Sequence, residues 1–290
     1  MAGLKEIRGR INTVKTTMQV TSAMKMVSAA KLKKAQNVLL SSRPYANKLE
    51  EILAHLLSDE ETRTKFPYLV HEPKSDNILM VVITSNRGLC GAFNSGLVKA
   101  SLEHVRTEFA GSHTDFISIG KQGSKLLKTR GIKAVSSHDE LFEELSFESL
   151  KVLSETMTAD FLSGKYDQII FAYTKFVTAG RLDVTFENFL PVEPEEINGD
   201  KLNHDYIYEP NKENILYDII PKALQMHAYM VLLNSFTSEH AARMQAMQQA
   251  TDNAQTLLRD LTLTYNKARQ ASITNEILEI TGGAEALKHS

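Results

Sequence analysis

The sequence predicts a mixed α/β protein: a long antiparallel coiled coil of the N- and C-terminal helices, joined to an α/β domain with a mainly parallel sheet. Three observations predict it. Residues 222–281 are 60 consecutive positions without glycine or proline, and most are good helix formers. Residues 10–43 form a second such stretch at the other end. Between them, short apolar runs alternate with helical patterns, the arrangement of βαβ units.

The first element is expected from about Leu4 to Leu57. Leu4, Ile7, Ile11, Val14 and Met18 alternate steps of three and four, a coiled-coil seam. The seam then weakens into small and polar residues around Thr21, Ser28 and Ala35. Pro44 is expected to kink or break the helix, because it lacks an amide donor.

In the middle, Ile78–Thr84, Phe116–Ile119 and Gln168–Tyr173 read as strands, with Phe186–Val192 as a further candidate. Asn94–Ala110, Lys121–Arg130 and Phe147–Leu162 read as helices. Asn198-Gly199-Asp200 signals a turn. The last helix carries its own seam of Met244, Met247, Thr251, Ala254, Leu258, Leu261, Tyr265 and Ala268. At about 1.5 Å per residue, a helix over 222–281 would be roughly 90 Å long. A compact chain of this size has a radius of gyration of only about 19 Å. Such a helix must project from its own globule and be covered by something else. The expected division is a helix in 1–75, an α/β domain in 76–208 and a second helix in 209–290.

Composition narrows the class. Hydrophobic residues make up 42% and charged residues 23% of the 290, values of an ordinary globular protein. No apolar run is long enough to span a bilayer, and the start lacks the apolar core of a secretory signal. Cys90 is the single cysteine, so no intramolecular disulfide is expected, and a reducing compartment is. Between Arg10 and Arg43 there are seven basic residues and no acid, whereas Glu187–Glu213 holds eight acids against Lys201 and Lys212. Solvated helices usually mix both signs, so the basic block points to a partner surface.

Candidate chemistry is sparse. Ser85-Asn86-Arg87-Gly88-Leu89-Cys90-Gly91 lies between a strand and a helix, where phosphate loops occur. It has neither the Gly-Lys-Ser/Thr ending of a P-loop nor a Gly-x-Gly-x-x-Gly pattern. Cys90, near a helix N-terminus, is a candidate nucleophile of lowered pKa, but no partner base is identifiable. An enzyme or nucleotide-binding protein using the Gly88–Gly91 loop and Cys90 is therefore the alternative reading. His138-Asp139-Glu140 is the nearest thing to a ligand cluster and lacks metal-site spacing; Glu143 and Glu144 read as a solvated face. No metal or cofactor is expected. A nucleic-acid clamp would show interspersed aromatics and arginines, which the basic helix does not. Met18, Met24, Met26, Met226, Met230, Met244 and Met247 on the two long helices suit seam packing and surfaces that repack against partners.

The terminal blocks resemble the gamma subunit family of bacterial F-type ATP synthases. At the N-terminus the matching residues are Ala2-Gly3-Leu4-Lys5-Glu6-Ile7-Arg8, Thr21-Ser22-Ala23-Met24-Lys25-Met26-Val27 and Ser42-Arg43-Pro44-Tyr45. At the C-terminus they are Ser238-Glu239-His240-Ala241-Ala242-Arg243-Met244, Ala250-Thr251-Asp252-Asn253-Ala254 and the run Tyr265 to Ile277. Arg87-Gly88-Leu89-Cys90-Gly91 contributes from the middle.

This resemblance implies a non-catalytic central-stalk rotor: a coiled-coil shaft inside a ring of alpha and beta subunits, above a Rossmann-like α/β foot that meets the epsilon subunit and the c ring. Proton-driven rotation of the c ring would cycle the catalytic beta subunits for ATP synthesis. Position by position, it implies beta contacts at Met24, Lys25, Arg243, Gln270, Thr274 and Glu276, and foot contacts with the c ring at Tyr206, Tyr208 and Glu209. Arg243 and Gln270 are expected to be exposed and to matter more for coupling than for folding. A peripheral position on the cytoplasmic face of a bacterial inner membrane is implied, without thiol regulation.

Overall fold

The computed structural model describes residues 2–57, 66, 68–69, 76–142, 147–192, 208–209 and 211–288. The Asn198–Asp200 turn signal, Glu143 and Glu144 lie outside them. The described elements run α1 (Ala2–Leu56), β1 (Asn77–Ile83), α2 (Phe93–Glu108), β2 (His113–Ile119), α3 (Lys121–Thr129) and β3 (Ser136–Ser137). After the 3-10 turn Glu140–Phe142 come α4 (Phe147–Leu162), β4 (Gln168–Thr178), β5 (Arg181–Leu190) and α5 (Lys212–Lys288).

The chain forms two compact units, one of residues 29–243 and one combining residues 1–28 with 244–290. In the first, five strands lie in the order β3-β2-β1-β4-β5. The β1, β2, β3 and β4 pairings are parallel, and β5 returns antiparallel to β4 across the Ala179-Gly180 turn. Strand β1, Asn-Ile-Leu-Met-Val-Val-Ile, is buried on both faces, which is why it reads as a continuous apolar run and not as an alternation.

Its side chains divide by the period of two. Met80 and Val82 meet Leu97 and Val98 of α2 and Leu127 of α3. Leu79, Val81 and Ile83 join a larger core containing Leu150, Leu153, Met157 and Phe161 of α4, Leu53 and Leu56 of α1, and Leu216, Ile220, Leu224 and Leu232 of α5. One face of the sheet is therefore covered largely by the long terminal helices, where Ala46, Leu49 and Met226 add a further contact.

Pro44 does not break α1. The missing amide releases the carbonyl of Leu40, and Leu40 and Pro44 both lie on the exposed side of the helix, where water can take the released acceptor. Pro221 is likewise inside α5, so that helix begins ten residues before the position the glycine-free and proline-free run suggests. The β4–β5 hairpin also starts earlier than Phe186, at Arg181.

The second unit is a pair of helical segments. From Gly3 to Val20, the residues that are not exposed are Leu4, Ile7, Ile11, Val14 and Met18. On α5, from Thr251 to Gly282, they are Thr251, Ala254, Leu258, Leu261, Tyr265, Ala268 and Ser272. The seam does not fade at Thr21: Thr21 and Ser28 are buried, and the Thr21 and Thr251 hydroxyls share a hydrogen bond of 2.8 Å. The segments are antiparallel. Leu4 is as far along α1 from Thr21 as Ala268 is along α5 from Thr251, and the seam runs out at that level. Ile273, Ile277, Leu278 and Ile280 follow on the exposed end of α5.

Candidate functional site: a polar clasp and an exposed helix pair

The crevice at the carboxyl ends of β1 and β4, where the strand order reverses, is where open α/β sheets usually bind ligands. Here a segment of α5 occupies it. Ser235, Thr237, Ser238, Glu239, His240 and Arg243 are all buried. The Ser235 hydroxyl donates to the carbonyl of Ile83, the last residue of β1, at 3.3 Å.

The loop after β1 turns toward this segment with its carbonyls. Arg243 donates through Nη2 to the Arg87 and Gly88 carbonyls at 3.1 and 3.2 Å, and its other terminal nitrogen contacts the Glu239 carboxylate one helical turn away. A phosphate loop presents backbone N–H groups to an anion; this one presents C=O groups to a guanidinium. Its shape is held from within. Ser85 donates by its backbone N–H to Asn94 Oδ1 at 2.9 Å and by its hydroxyl to the Arg87 carbonyl at 2.7 Å. Leu89 sits at φ +65°, in the left-handed region.

The neighbouring loop is tied to it. Asn86 Oδ1 accepts from the Lys121 N–H at 2.9 Å, capping the start of α3, and Asn86 Nδ2 donates to the Asp139 carbonyl at 2.8 Å. A Cβ on Gly120 would lie 2.1 Å from the Thr84 carbonyl oxygen, and its φ is +94°, so the two loops pack at a distance only glycine permits.

The electrostatics follow burial. Burial pushes the Glu239 carboxyl up, and the Arg243 guanidinium pulls it back. His240 is held down at about 3, by burial and then by the charges of Arg243 and Lys31. It is a neutral ring packed edge-on against Phe236, with centroids 4.5 Å apart, and its Nδ1 lies 3.1 Å from Glu239 Oε2. Burial also pushes the Cys90 thiol up, and Asn94 Nδ2 donates to its sulfur at 3.1 Å. The lowered pKa expected of a nucleophile at Cys90 is thus reversed: desolvation outweighs the Ser85 hydrogen bond and the Arg243 charge, which act to lower it. Among the described residues no group of His, Cys, Asp and Glu could hold a metal ion.

The residues singled out from sequence are scattered by the fold. Arg243 is not exposed; its guanidinium is committed to the clasp, a correction to its expected surface position. Met24 and Lys25 are half-buried on α1; Gln270, Thr274 and Glu276 are exposed on α5, with the Thr274 hydroxyl bonded to the Gln270 carbonyl at 3.0 Å. Tyr208 is half-buried, with Lys212 Nζ 5.2 Å from its ring centroid, and Glu209 is exposed. Tyr206 lies outside the described residues. Sequence reading missed Glu239 and Ser235 as clasp residues. Their signal was available: polar residues at positions 235, 239 and 243 are spaced by one helical turn and share one face of the helix.

A second polar node ties the sheet to α5. Glu187 accepts from the Tyr173 hydroxyl at 2.6 Å and lies 3.3 Å from His227 Nε2 and 3.7 Å from Lys175 Nζ. Burial raises its carboxyl, but the bonds from His227 and Tyr173 win, leaving it below its ordinary value.

Comparison with known proteins places this arrangement. The ATP synthase family model matches residues 3–287. The ATP synthase gamma chain of Flavobacterium johnsoniae is 50% identical over 288 residues, covering 99% of both chains, and that of Cytophaga hutchinsonii is 43% identical over 296 residues, covering 100% of both. Among solved structures, a chain of the Euglena gracilis mitochondrial ATP synthase (OSCP/F1/c-ring) matches with a TM-score of 0.69 at 21% identity, covering 99% of this chain and 95% of that one. A chain of the Tetrahymena thermophila mitochondrial ATP synthase central stalk and c-ring matches with a TM-score of 0.58 at 25% identity, covering 80% of this chain and 99% of that one. The chain belongs to the ATP synthase gamma chain family.

Proposed function

We propose that this chain is the central-stalk rotor of an F-type ATP synthase, a non-catalytic shaft that couples proton-driven rotation of the c ring to conformational cycling of the catalytic beta subunits. The observation that carries the reading is the pair of terminal helices. Their shared seam is narrow, the rest of their surface from Gly3 to Val20 and from Thr251 onward is exposed, and the end of α5 presents Ile273, Ile277, Leu278 and Ile280. Helices with so little internal cover need an external one, and a ring of alpha and beta subunits would supply it. The buried thiol and the arginine-filled crevice weigh against the nucleotide-binding or Cys90-dependent alternative.

In this reading Met24, Lys25, Gln270, Thr274 and Glu276 meet beta, and Arg243 acts from within, setting how the neighbouring surface is presented. Tyr206, Tyr208 and Glu209 meet the c ring, and epsilon docks on the foot. The functional division remains helix 1–75, foot 76–208 and helix 209–290, with the complex peripheral to the cytoplasmic face of the inner membrane. No helix among the described residues is long and apolar enough to cross a membrane. The test is removal of the chain from its native membranes: ATP hydrolysis should lose its proton pumping and ATP synthesis should stop. Synthesis that continued without the chain would overturn the reading.

A further inference from the structure

The two edges of the sheet are finished differently. At one edge β3 is two residues long, Ser136-Ser137, too short to template another strand. At the other, β5 runs for ten residues, and its one partner in the sheet is β4. That pairing is unbroken from Ile170 opposite Asn188 to Phe176 opposite Leu182. In an antiparallel ladder every second residue turns its N–H and C=O away from the partner strand, so β5 carries a row of such groups along its outer side. Among the described residues, no backbone group outside β4 bonds to the backbone of residues 182–187.

Natural edge strands are blunted by proline, lysine, bulges or unpaired charges. Residues 181–190 contain no proline and no lysine, and the register shifts of the β4–β5 pair lie at its two ends. The charges of β5 are committed within the chain: Arg181 pairs with Asp183 at 2.9 Å, and Glu187 is held by Tyr173 and His227. The hairpin also projects from the sheet. Strand β4 pairs with β1 as far as Ala172 but with β5 as far as Thr178, so its outer part is two strands wide, a width of marginal stability by itself. The two faces of this ribbon differ, as the period of two requires. Tyr173 opposite Thr185 and Lys175 opposite Asp183 lie on the α5 side. Thr174 opposite Val184 and Phe176 opposite Leu182 continue the side of Ala172 and Phe186, which packs with α2. Val184 is 42% exposed there.

We propose that the outer edge of β5 receives an extended segment of another subunit as a sixth strand, with apolar side chains at alternate positions on the α2 side; the proposal rests on the chain working as part of that complex. The open row of N–H and C=O groups defines the occupant's backbone. A strand laid beside the row satisfies it along its length, which a helix laid on the apolar face would not. The faces of the ribbon define the side chains. Positions beside Leu182, Val184 and Phe186 are apolar and cover Val184, and those beside Asp183 and Thr185 are polar. A strand added here also brings the projecting ribbon to three strands, the width at which a sheet with an apolar face becomes stable.

The test is amide hydrogen exchange of residues 182–187, read residue by residue with mass spectrometry, in the intact complex purified from native membranes and in the isolated chain. In the isolated chain alternate amides of this stretch should exchange fast. In the complex the same amides should slow by at least about tenfold, as amides taken into a ladder do. In complexes rebuilt with Val184→Lys that protection should be lost, and protection that survives the lysine overturns the apolar facing assigned to the added strand. A complex recovered intact whose 182–187 amides exchange as fast as those of the isolated chain overturns the strand proposal alone. Amides already slow in the isolated monomer overturn it in favour of a segment of this chain, and amides slowed by dimerisation of the isolated chain overturn it in favour of a second copy. A chain that copurifies with no other subunit overturns the functional reading as well.

Discussion

Replacing Arg243 by methionine tests the clasp directly. Methionine keeps the stem and removes the guanidinium, leaving the Glu239 carboxylate 5% exposed and the Arg87 and Gly88 carbonyls without their donor. Breaking a buried ion pair by removing one partner costs about 3–5 kcal/mol. Lys31 and Arg87 still act on Glu239, so a loss of about 3 kcal/mol is expected. At roughly 2–4 °C per kcal/mol for a unit of this size, the melting temperature should fall by about 6–12 °C. Urea unfolding of the purified chain followed by far-ultraviolet circular dichroism gives the free energy. The double variant Glu239→Gln/Arg243→Met should lose less than the sum of the single changes, because it strands no charge. A single variant within about 0.5 kcal/mol of wild type, or a double variant that loses the full sum, would refute the reasoning.

His240 predicts a pH dependence. Its folded value of about 3 lies below the roughly 6.5 of an unfolded histidine, so between them the unfolded chain binds a proton that the folded chain does not. The stability contribution is complete above about pH 6.5 and is lost as pH falls toward 3. His240→Phe, which keeps the edge-on ring against Phe236, should flatten urea midpoints measured between about pH 7.5 and pH 5 relative to wild type. Gly120→Ala should lose about 3 kcal/mol or fail to fold, since its Cβ would meet the Thr84 carbonyl at 2.1 Å and its φ is positive; thermal melting reads it. Gln270→Ala and Glu276→Ala, both exposed, should leave chain stability within about 0.5 kcal/mol while lowering ATP-driven proton pumping by the reconstituted complex. Unfolding of either isolated variant would count against a contact role.

Periodic elements were legible from sequence. The α5 seam from Met244 to Ala268 recurs as the less exposed face of that helix, and α4 begins and ends at Phe147 and Leu162 as its pattern implies. Elements set by long-range pairing were not: β3 is two serines, and only their alignment with Ile117 and Ser118 makes them a strand. The first half of β5 was missed because Arg181, Asp183 and Thr185 alternate with Leu182 and Val184, which leaves no continuous apolar run, and the stretch is ordered by pairing with β4. Arg243 was misplaced because a helical pattern gives a residue's azimuth but not what faces it. The Gly88–Gly91 loop resembles a phosphate loop in composition, yet whether such a loop offers amides or carbonyls depends on backbone angles that composition does not specify.

The seam of the helix pair also has mechanical consequences. Steps of three and four average 3.5 residues per turn, fewer than the 3.6 of a straight α-helix, so the seam stays closed only if the two segments wind around each other left-handedly. A wound pair does not respond equally to twisting in its two senses. Twist in the winding sense presses successive seam layers together, whereas twist in the other sense draws them apart. The layers near Thr21, Ser28, Thr251 and Ala254 hold little apolar mass to resist separation, and the hydroxyl pair at 2.8 Å is the bond that opening would stretch first. The same seam that sets which residues are hidden therefore makes this segment torsionally stiffer in one direction than in the other.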